Sequence, residues 1–338
     1  MKNTKYPTIN YIGNKQKIAD WIVDSFPIKK GSVLDLFCGG SSVSYKLKQR
    51  GFIVYSNDIL FSNFCISKSL IENGNVTLKF SDLNNFQFSQ KQINKKIHEL
   101  NFLSNKIYFP NEIPELAHLV LISEKLKGYK KYIFLSLLRR SMIRKMPYSR
   151  MNLAWKQIKK FRNEEYCYKK YKRNRHYYNV NFINHILDNL NEFNTSIFDN
   201  NHQNKAYHYD AFELLKKINK VDAIYLDPPY PSTMNDYDAF YGAFDKMFFR
   251  DIKPKLDLKT KKNFSVNFEK IIKIASKKTN FLIISLNNHS FPCVNIINIL
   301  TPYIDSYKIL SKNHTYKISI SRNKAENSKE ILIICKCK

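Results

Sequence analysis

The sequence predicts an α/β protein with an open, mainly parallel sheet and a largely helical segment inserted between two halves of that sheet. Three observations carry this expectation. An apolar run, Val221-Asp222-Ala223-Ile224-Tyr225-Leu226, ends in Asp227-Pro228-Pro229-Tyr230. Near the amino end, Ser32-Val33-Leu34-Asp35-Leu36-Phe37 leads through Cys38-Gly39-Gly40-Ser41 into a helical pattern at Val43, Leu47 and Arg50. The alternation of strand and helix then stops around Phe80 and resumes around Tyr207. With 338 residues the chain is long enough for a full core and more than one domain.

Taken in order, the strand, Gly turn and helix at Ser32–Arg50 are suited to a nucleoside. Glycines permit positive φ and close approach of a ligand to the backbone, and open α/β sheets bind ligands at the carboxyl ends of their strands. The chain has neither G-x-x-x-x-G-K-[ST] nor a full G-x-G-x-x-G, which disfavours a grip through phosphates. The next apolar run, Phe52-Ile53-Val54-Tyr55, ends at Asn57-Asp58. A lone acid after a strand is most often a turn residue, but its spacing from Gly39 favours Asp58 as an acceptor for two ribose hydroxyls.

The inserted segment has helical apolar spacing over Ile113–Glu124 and Tyr129–Ile143, the second run ending in Arg139, Arg140 and Arg144. A basic helix end is ordinarily a solvated terminus favoured by the dipole. Here the cations continue through Lys145, Arg150, Lys156, Lys159, Lys160 and Arg162 into the Tyr- and Lys-rich stretch Tyr166–Tyr178. Cations interleaved with Tyr and Asn offer phosphate clamps, stacking surfaces and amides able to read base edges.

After the insertion, proline removes a ladder donor and turns the chain out of the sheet, so Asp-Pro-Pro leaves one carboxylate and one carbonyl at its carboxyl edge. Two such acceptors can hold an exocyclic amine by its two N–H bonds while Tyr230 stacks on the base, the arrangement needed to react at the amino nitrogen of an extruded adenine or cytosine. The competing reading is a tight turn after a buried strand. Phe281–Asn288 reads as a further buried strand ending in amides that border the same pocket. Tyr307–Leu310, Tyr316–Ile320 and Glu330–Ile334 read as closing strands with a polar hairpin at Arg322-Asn323-Lys324.

Composition is compatible with this chemistry. Lys and Arg number 56 against 28 Asp and Glu, a formal charge of +28, which attracts a polyanion and makes its binding salt-dependent. An A/T-rich genome would also enrich Lys, Asn and Ile, so the charge alone does not identify the partner. Cys38, Cys65, Cys167, Cys293, Cys335 and Cys337 form no C-x-x-C pair or zinc spacing, and free thiols are expected. The histidines lack metal-ligand spacing, and no metal is expected. No secretory h-region, membrane-length apolar run, low-complexity tail or solenoid repeat is found, so no membrane association is expected.

Tyr11-Ile12-Gly13-Asn14-Lys15-Gln16-Lys17, Asp35-Leu36-Phe37-Cys38-Gly39-Gly40, Asn57-Asp58 and Asp227-Pro228-Pro229-Tyr230 occur in one linear order. In this the chain resembles the D12-class (Dam-like) DNA adenine-N6 methyltransferases of the alpha group. The resemblance implies a Rossmann-like core dependent on S-adenosyl-L-methionine, formed by residues 1–80 and 206–338, with a mainly helical target-recognition domain at 81–205. It implies that Tyr11, Gly13, Asn14 and Lys15 lie against the methionine part of the cofactor, Lys15 meeting its carboxylate. Asp35, Phe37, Gly39 and Gly40 would line the cofactor, Asp58 take the ribose, and Asp210, beside Ala211, read the adenine amine. Asp227 would border the cofactor and act with Pro228, Pro229 and Tyr230 on the target amine. Arg140, Arg144, Arg150 and Asn152 are the expected DNA contacts. Ser41, Ala211 and Ala154 depart from a family glycine, aromatic residue and proline. The implied activity is site-specific methylation of double-stranded DNA in the bacterial or phage-type cytoplasm, at the nucleoid, with a cognate restriction endonuclease as a partner. Cytosine-N4 methylation, RNA adenine methylation and a non-catalytic DNA-binding relative are the alternatives; intact Lys15, Asp58 and Asp227 argue against the last.

Overall fold

A computed structural model describes residues 4–84, 86–229, 231, 236–288, 291–314 and 328–338. Its sheet contains β1 (Ser32–Asp35), β2 (Ile53–Asn57), β3 (Lys205–Tyr207), β4 (Val221–Leu226), β5 (Thr279–Asn287), β6 (Ile304–Asn313) and β7 (Lys329–Cys337). The strand order is β3-β2-β1-β4-β5-β7-β6. Strands β1 to β5 pair in parallel, while β7 pairs antiparallel with both β5 and β6. Chain order reverses between β1 and β4, the position at which an open α/β sheet leaves a crevice at its carboxyl edge. The expected strand at Tyr316–Ile320 and the Arg322–Lys324 hairpin lie outside the described residues.

Side-chain alternation assigns the two faces of the sheet. Val33, Ala223 and Ile283 join one apolar cluster, and their neighbours Leu34, Ile224 and Leu282 join the other. Burial on both faces explains why β4 and β5 read as nearly unbroken apolar runs. Helices Ala211–Lys217, Lys261–Ala275 and Cys293–Leu300 cover the second face. At the far edge β6 is largely exposed, with Lys308 and Lys312 along it, which discourages pairing with another chain.

Between β2 and β3 the chain is helical, with helices Ile113–Lys125, Gly128–Arg144 and Phe182–Thr195 as its principal members. Ile133, Phe134, Leu137 and Leu138 belong to the same apolar cluster as Val33 and Val43, so the inserted helices share a core with one face of the sheet. Part of the basic run is turned inward. Glu112 receives Arg162 through two hydrogen bonds of 2.8 and 2.7 Å and pairs with Lys145 at 2.8 Å. These buried charges tie separate helices together and are not available to a ligand.

Candidate active site

Lys15, Asp35, Asp58 and Asp227 converge on the carboxyl edge of β1, β2 and β4. Asp35 closes β1, and Asp58 follows β2. Asp227 and the buried Pro228 follow β4, where proline's lack of an N–H ends the ladder. Tyr230 lies outside the described residues.

The Gly turn after β1 is built around Tyr11. Gly39 has φ +52°, and a Cβ there would meet the Tyr11 ring at 2.7 Å. Gly40 is packed beside the same ring, and its carbonyl accepts the Tyr6 hydroxyl. Ser41, at the family's third glycine, adopts φ 65° as glycine would. That left-handed backbone costs a non-glycine residue about 1–3 kcal/mol. The buried Ser41 hydroxyl bonds Ser67 Oγ at 2.7 Å, which anchors the turn to helix Phe61–Ser67. Gly13 likewise has φ +82° and presses against Tyr237, with Asn14 closing the adjoining turn by accepting the Gln16 N–H at 2.9 Å.

Asp58 joins these pieces. Its carboxylate accepts the Gly39 N–H at 2.9 Å and the Leu60 N–H at 2.8 Å, although burial raises its pKa. Asn57 donates to the carbonyls of Leu36 at 3.1 Å and Tyr209 at 3.2 Å, fixing the ends of β1 and β2 and the segment after β3. Asp210 caps helix Ala211–Lys217, accepting from Phe212 and Glu213, and its other oxygen accepts the Lys255 N–H at 3.0 Å. Ala211 is buried as the first residue of that helix. Phe37 packs toward the second face of the sheet.

Charge is concentrated at Lys15, whose Nζ lies 2.7 Å from Asp227 Oδ2 and 3.3 Å from Glu330 Oε1. Burial pushes the Asp227 carboxyl up to about 6, Lys15 opposing and Glu330 reinforcing the rise. Asp35 is pushed to about 7, chiefly by burial; Ser44 donates to its Oδ2 at 2.6 Å, and its buried Oδ1 has no partner among the described residues.

A raised carboxyl pKa makes the folded state bind protons that the unfolded state releases, so this stabilisation is full below about pH 4 and is lost as pH rises through about 7. The melting temperature of the free protein is therefore expected to rise between pH 8 and pH 6, with a shallower slope in Asp35→Asn. Equal slopes in a pair of melting series would remove the charge burial assigned to Asp35.

Tyr237, Tyr241 and Asp245 support the site without a local signal in the sequence, and Arg139 reads there only as one of a run of cations. Tyr11 stacks on Tyr237 and Tyr241, with ring centroids 5.5 and 5.3 Å apart. Arg139, fully buried, lies 4.7 Å from the Tyr241 ring; it donates to the Asn10 carbonyl at 3.3 Å, while its Nε and Nη2 have no hydrogen-bond partner among the described residues. Asp245, in the helix after the Asp-Pro-Pro-Tyr segment, accepts the Phe61 and Ser62 N–H groups at 2.7 and 2.9 Å. It thereby caps the helix that follows Asp58.

The expected DNA contacts occupy different settings. Arg140 is bound by Glu192 at 3.0 Å and ties helix Gly128–Arg144 to Phe182–Thr195. Arg144 is exposed, its guanidinium 4.0 Å from the Tyr177 ring, at a cleft of about 590 Å³ shared with Tyr148, Arg173, Asn174 and Arg175. Arg150 is half-buried near Tyr148 and Phe240, and Asn152 is exposed. Between them the Met151 N–H donates to the Phe240 carbonyl at 3.0 Å, linking this loop to the helix beyond Asp227.

These residues fit a zwitterionic nucleoside. Lys15 offers a cation for a carboxylate, the orphaned Asp35 Oδ1 an acceptor for an ammonium, and the glycine turn a surface that a Cβ would obstruct. Among the described residues, no group of three or more His, Cys, Asp or Glu could hold a metal, and no helix is long and apolar enough to cross a membrane. All six cysteines are free.

The chain is similar over 338 residues, at 38% identity and 99% of both chains, to the Type II methyltransferase M2.HphI of Haemophilus parahaemolyticus. It is 26% identical over 250 residues to the modification methylase StsI of Streptococcus sanguinis, spanning 66% of this chain and 34% of that protein. The model of the D12 class N6 adenine-specific DNA methyltransferases matches residues 11–318. With that match laid over a seven-stranded sheet whose switch point carries Asp35 and Asp227, the chain belongs to the D12 class of N6 adenine-specific DNA methyltransferases.

Proposed function

We propose that this enzyme modifies specific sites in double-stranded DNA as the methylating component of a restriction-modification system, using S-adenosyl-L-methionine in the cytoplasm alongside a cognate endonuclease. The observation that carries this reading is the meeting of Lys15, at 2.7 Å, with the carboxylate of Asp227 beside the Gly39 turn. The family match and the names of both relatives support it.

When bound, the cofactor supplies an electrophilic sulfonium methyl. Asp227 and the Pro228 carbonyl would each accept one N–H of the extruded adenine's amine, leaving the nitrogen lone pair free for the electrophile. The nitrogen's proton becomes acidic only as the new bond forms, so a weak base suffices. The family resemblance gives Tyr230 the role of partner to the extruded base, whose removal from the duplex costs a few kcal/mol. Lys15 would hold the cofactor's carboxylate, Asp35 its ammonium and Asp58 its ribose hydroxyls. Tyr11, Gly13, Asn14, Phe37, Gly39 and Gly40 shape the pocket, and Asp210 with Ala211 closes it at the adenine end. Residues 81–205 read the DNA while sharing the core of the sheet.

Purified enzyme supplied with the labelled donor is expected to place N6-methyladenine at one short sequence in duplex DNA. Label appearing in RNA alone, or as N4-methylcytosine, would overturn the substrate. Lys15→Ala is expected to weaken cofactor binding about 10-fold or more, since a hydrogen bond to a charged group contributes about 1.5–3 kcal/mol. Unchanged affinity by calorimetry would detach Lys15 from the cofactor.

A further inference from the structure

Glu330 is completely buried on β7, yet its carboxylate lies beside the Lys15–Asp227 pair. Its Oε1 is 3.3 Å from Lys15 Nζ, the ammonium that also lies 2.7 Å from Asp227 Oδ2. Ser285 on β5 donates its hydroxyl to the same Oε1. The antiparallel register sets Glu330 opposite Asn287 of β5 and Lys312 of β6, so its backbone is fixed from both sides. A buried carboxylate is strongly disfavoured unless paired and hydrogen-bonded. Here one cation serves two acids, and one of those acids faces the substrate.

We infer that Glu330 is a positioning residue for methyl transfer, competing with Asp227 for the Lys15 ammonium. With Glu330 absent, the 2.7 Å pairing of Lys15 with Asp227 would lose its competing carboxylate. The ammonium would then hold an oxygen that the adenine amine needs and resist turning toward the cofactor's carboxylate. With Glu330 present, Lys15 keeps an anionic partner throughout that turn, and Asp227 retains its strength as an acceptor. The inference rests on the roles given above to Lys15 and Asp227.

Glu330→Gln tests it, because the amide keeps the side-chain shape and an oxygen for Ser285. Removing the neighbouring anion lowers the Asp227 pKa, so the acid limb of kcat/KM moves to lower pH, by about one unit. Turnover falls about 10-fold, and calorimetry shows weaker cofactor binding by the free enzyme. Glu330→Asp, which keeps the charge, returns the acid limb toward its original position. Added to Lys15→Gln, Glu330→Gln causes little further loss, because residues acting through one another are not additive.

A Glu330→Gln protein that does not fold assigns Glu330 to the fold alone and overturns the inference. So does an unchanged acid limb with losses that add to those of Lys15→Gln. Full activity in Asp227→Ala would instead remove the reading beneath it, so the two failures are distinguishable.

Discussion

Asp227→Ala is expected to lower the methyl-transfer rate by about 100- to 1,000-fold or more while leaving cofactor and DNA affinity within a few-fold. Loss of one preorganised electrostatic group aimed at a transition state has this magnitude. Binding is spared if, as proposed, the carboxylate acts on the target amine through an interaction that strengthens only during reaction. Without Asp227, the Lys15 ammonium retains Glu330, 3.3 Å away, so no buried cation is orphaned. Protonation should imitate the substitution. As pH falls through about 6, Asp227 takes up a proton and ceases to be a full acceptor, so kcat/KM declines on the acid side. Single-turnover transfer to duplex DNA, measured from pH 5 to 8, checks both effects. Turnover near that of the unaltered enzyme would end the assignment of Asp227 to the chemistry.

The sheet was legible because its signals are local. A buried strand stopped by Asp-Pro-Pro and another opening into two glycines each announce themselves within about ten residues. The long helices Ile113–Lys125 and Gly128–Arg144 likewise follow the expected runs within a residue or two. The surroundings of the site were less legible, because they depend on which distant groups meet. Glu330 reads locally as the start of a closing strand, and only the insertion of β7 between β5 and β6 brings it to Lys15. Arg139 is indistinguishable in sequence from Arg140 and Arg144. The helix turns the first beneath Tyr241, the second toward Glu192 and the third to Tyr177 at the open cleft. A count of cations cannot separate these fates, since it contains no information on partners. Lys145 and Arg162 make the same point, for Glu112 binds both inside the protein.

That separation sharpens what Arg144→Ala and Arg150→Ala should do. If residues 81–205 read DNA, both variants keep the cofactor affinity of the unaltered enzyme and differ from it in DNA binding. Arg144 is exposed beside Arg173 and Arg175, where three guanidinium groups face one cleft. A phosphate contact is expected there: its loss weakens all sequences together and lowers the salt slope by about one unit. Arg150 lies one residue from Met151, which hydrogen-bonds the helix beyond Asp227, and two from the exposed Asn152. This tether ties the Arg150 loop to helix Tyr237–Met247, as base reading near the proposed target site requires. Its loss is expected to cost about 1–3 kcal/mol at one base pair and to relax specificity there. Binding of each variant to cognate and singly substituted duplexes across a salt series distinguishes the two behaviours. If affinity, salt slope and specificity all stay unchanged, recognition passes to Tyr166–Tyr178, whose aromatic rings and cations share the rim of the same cleft through Arg173, Arg175 and Tyr177.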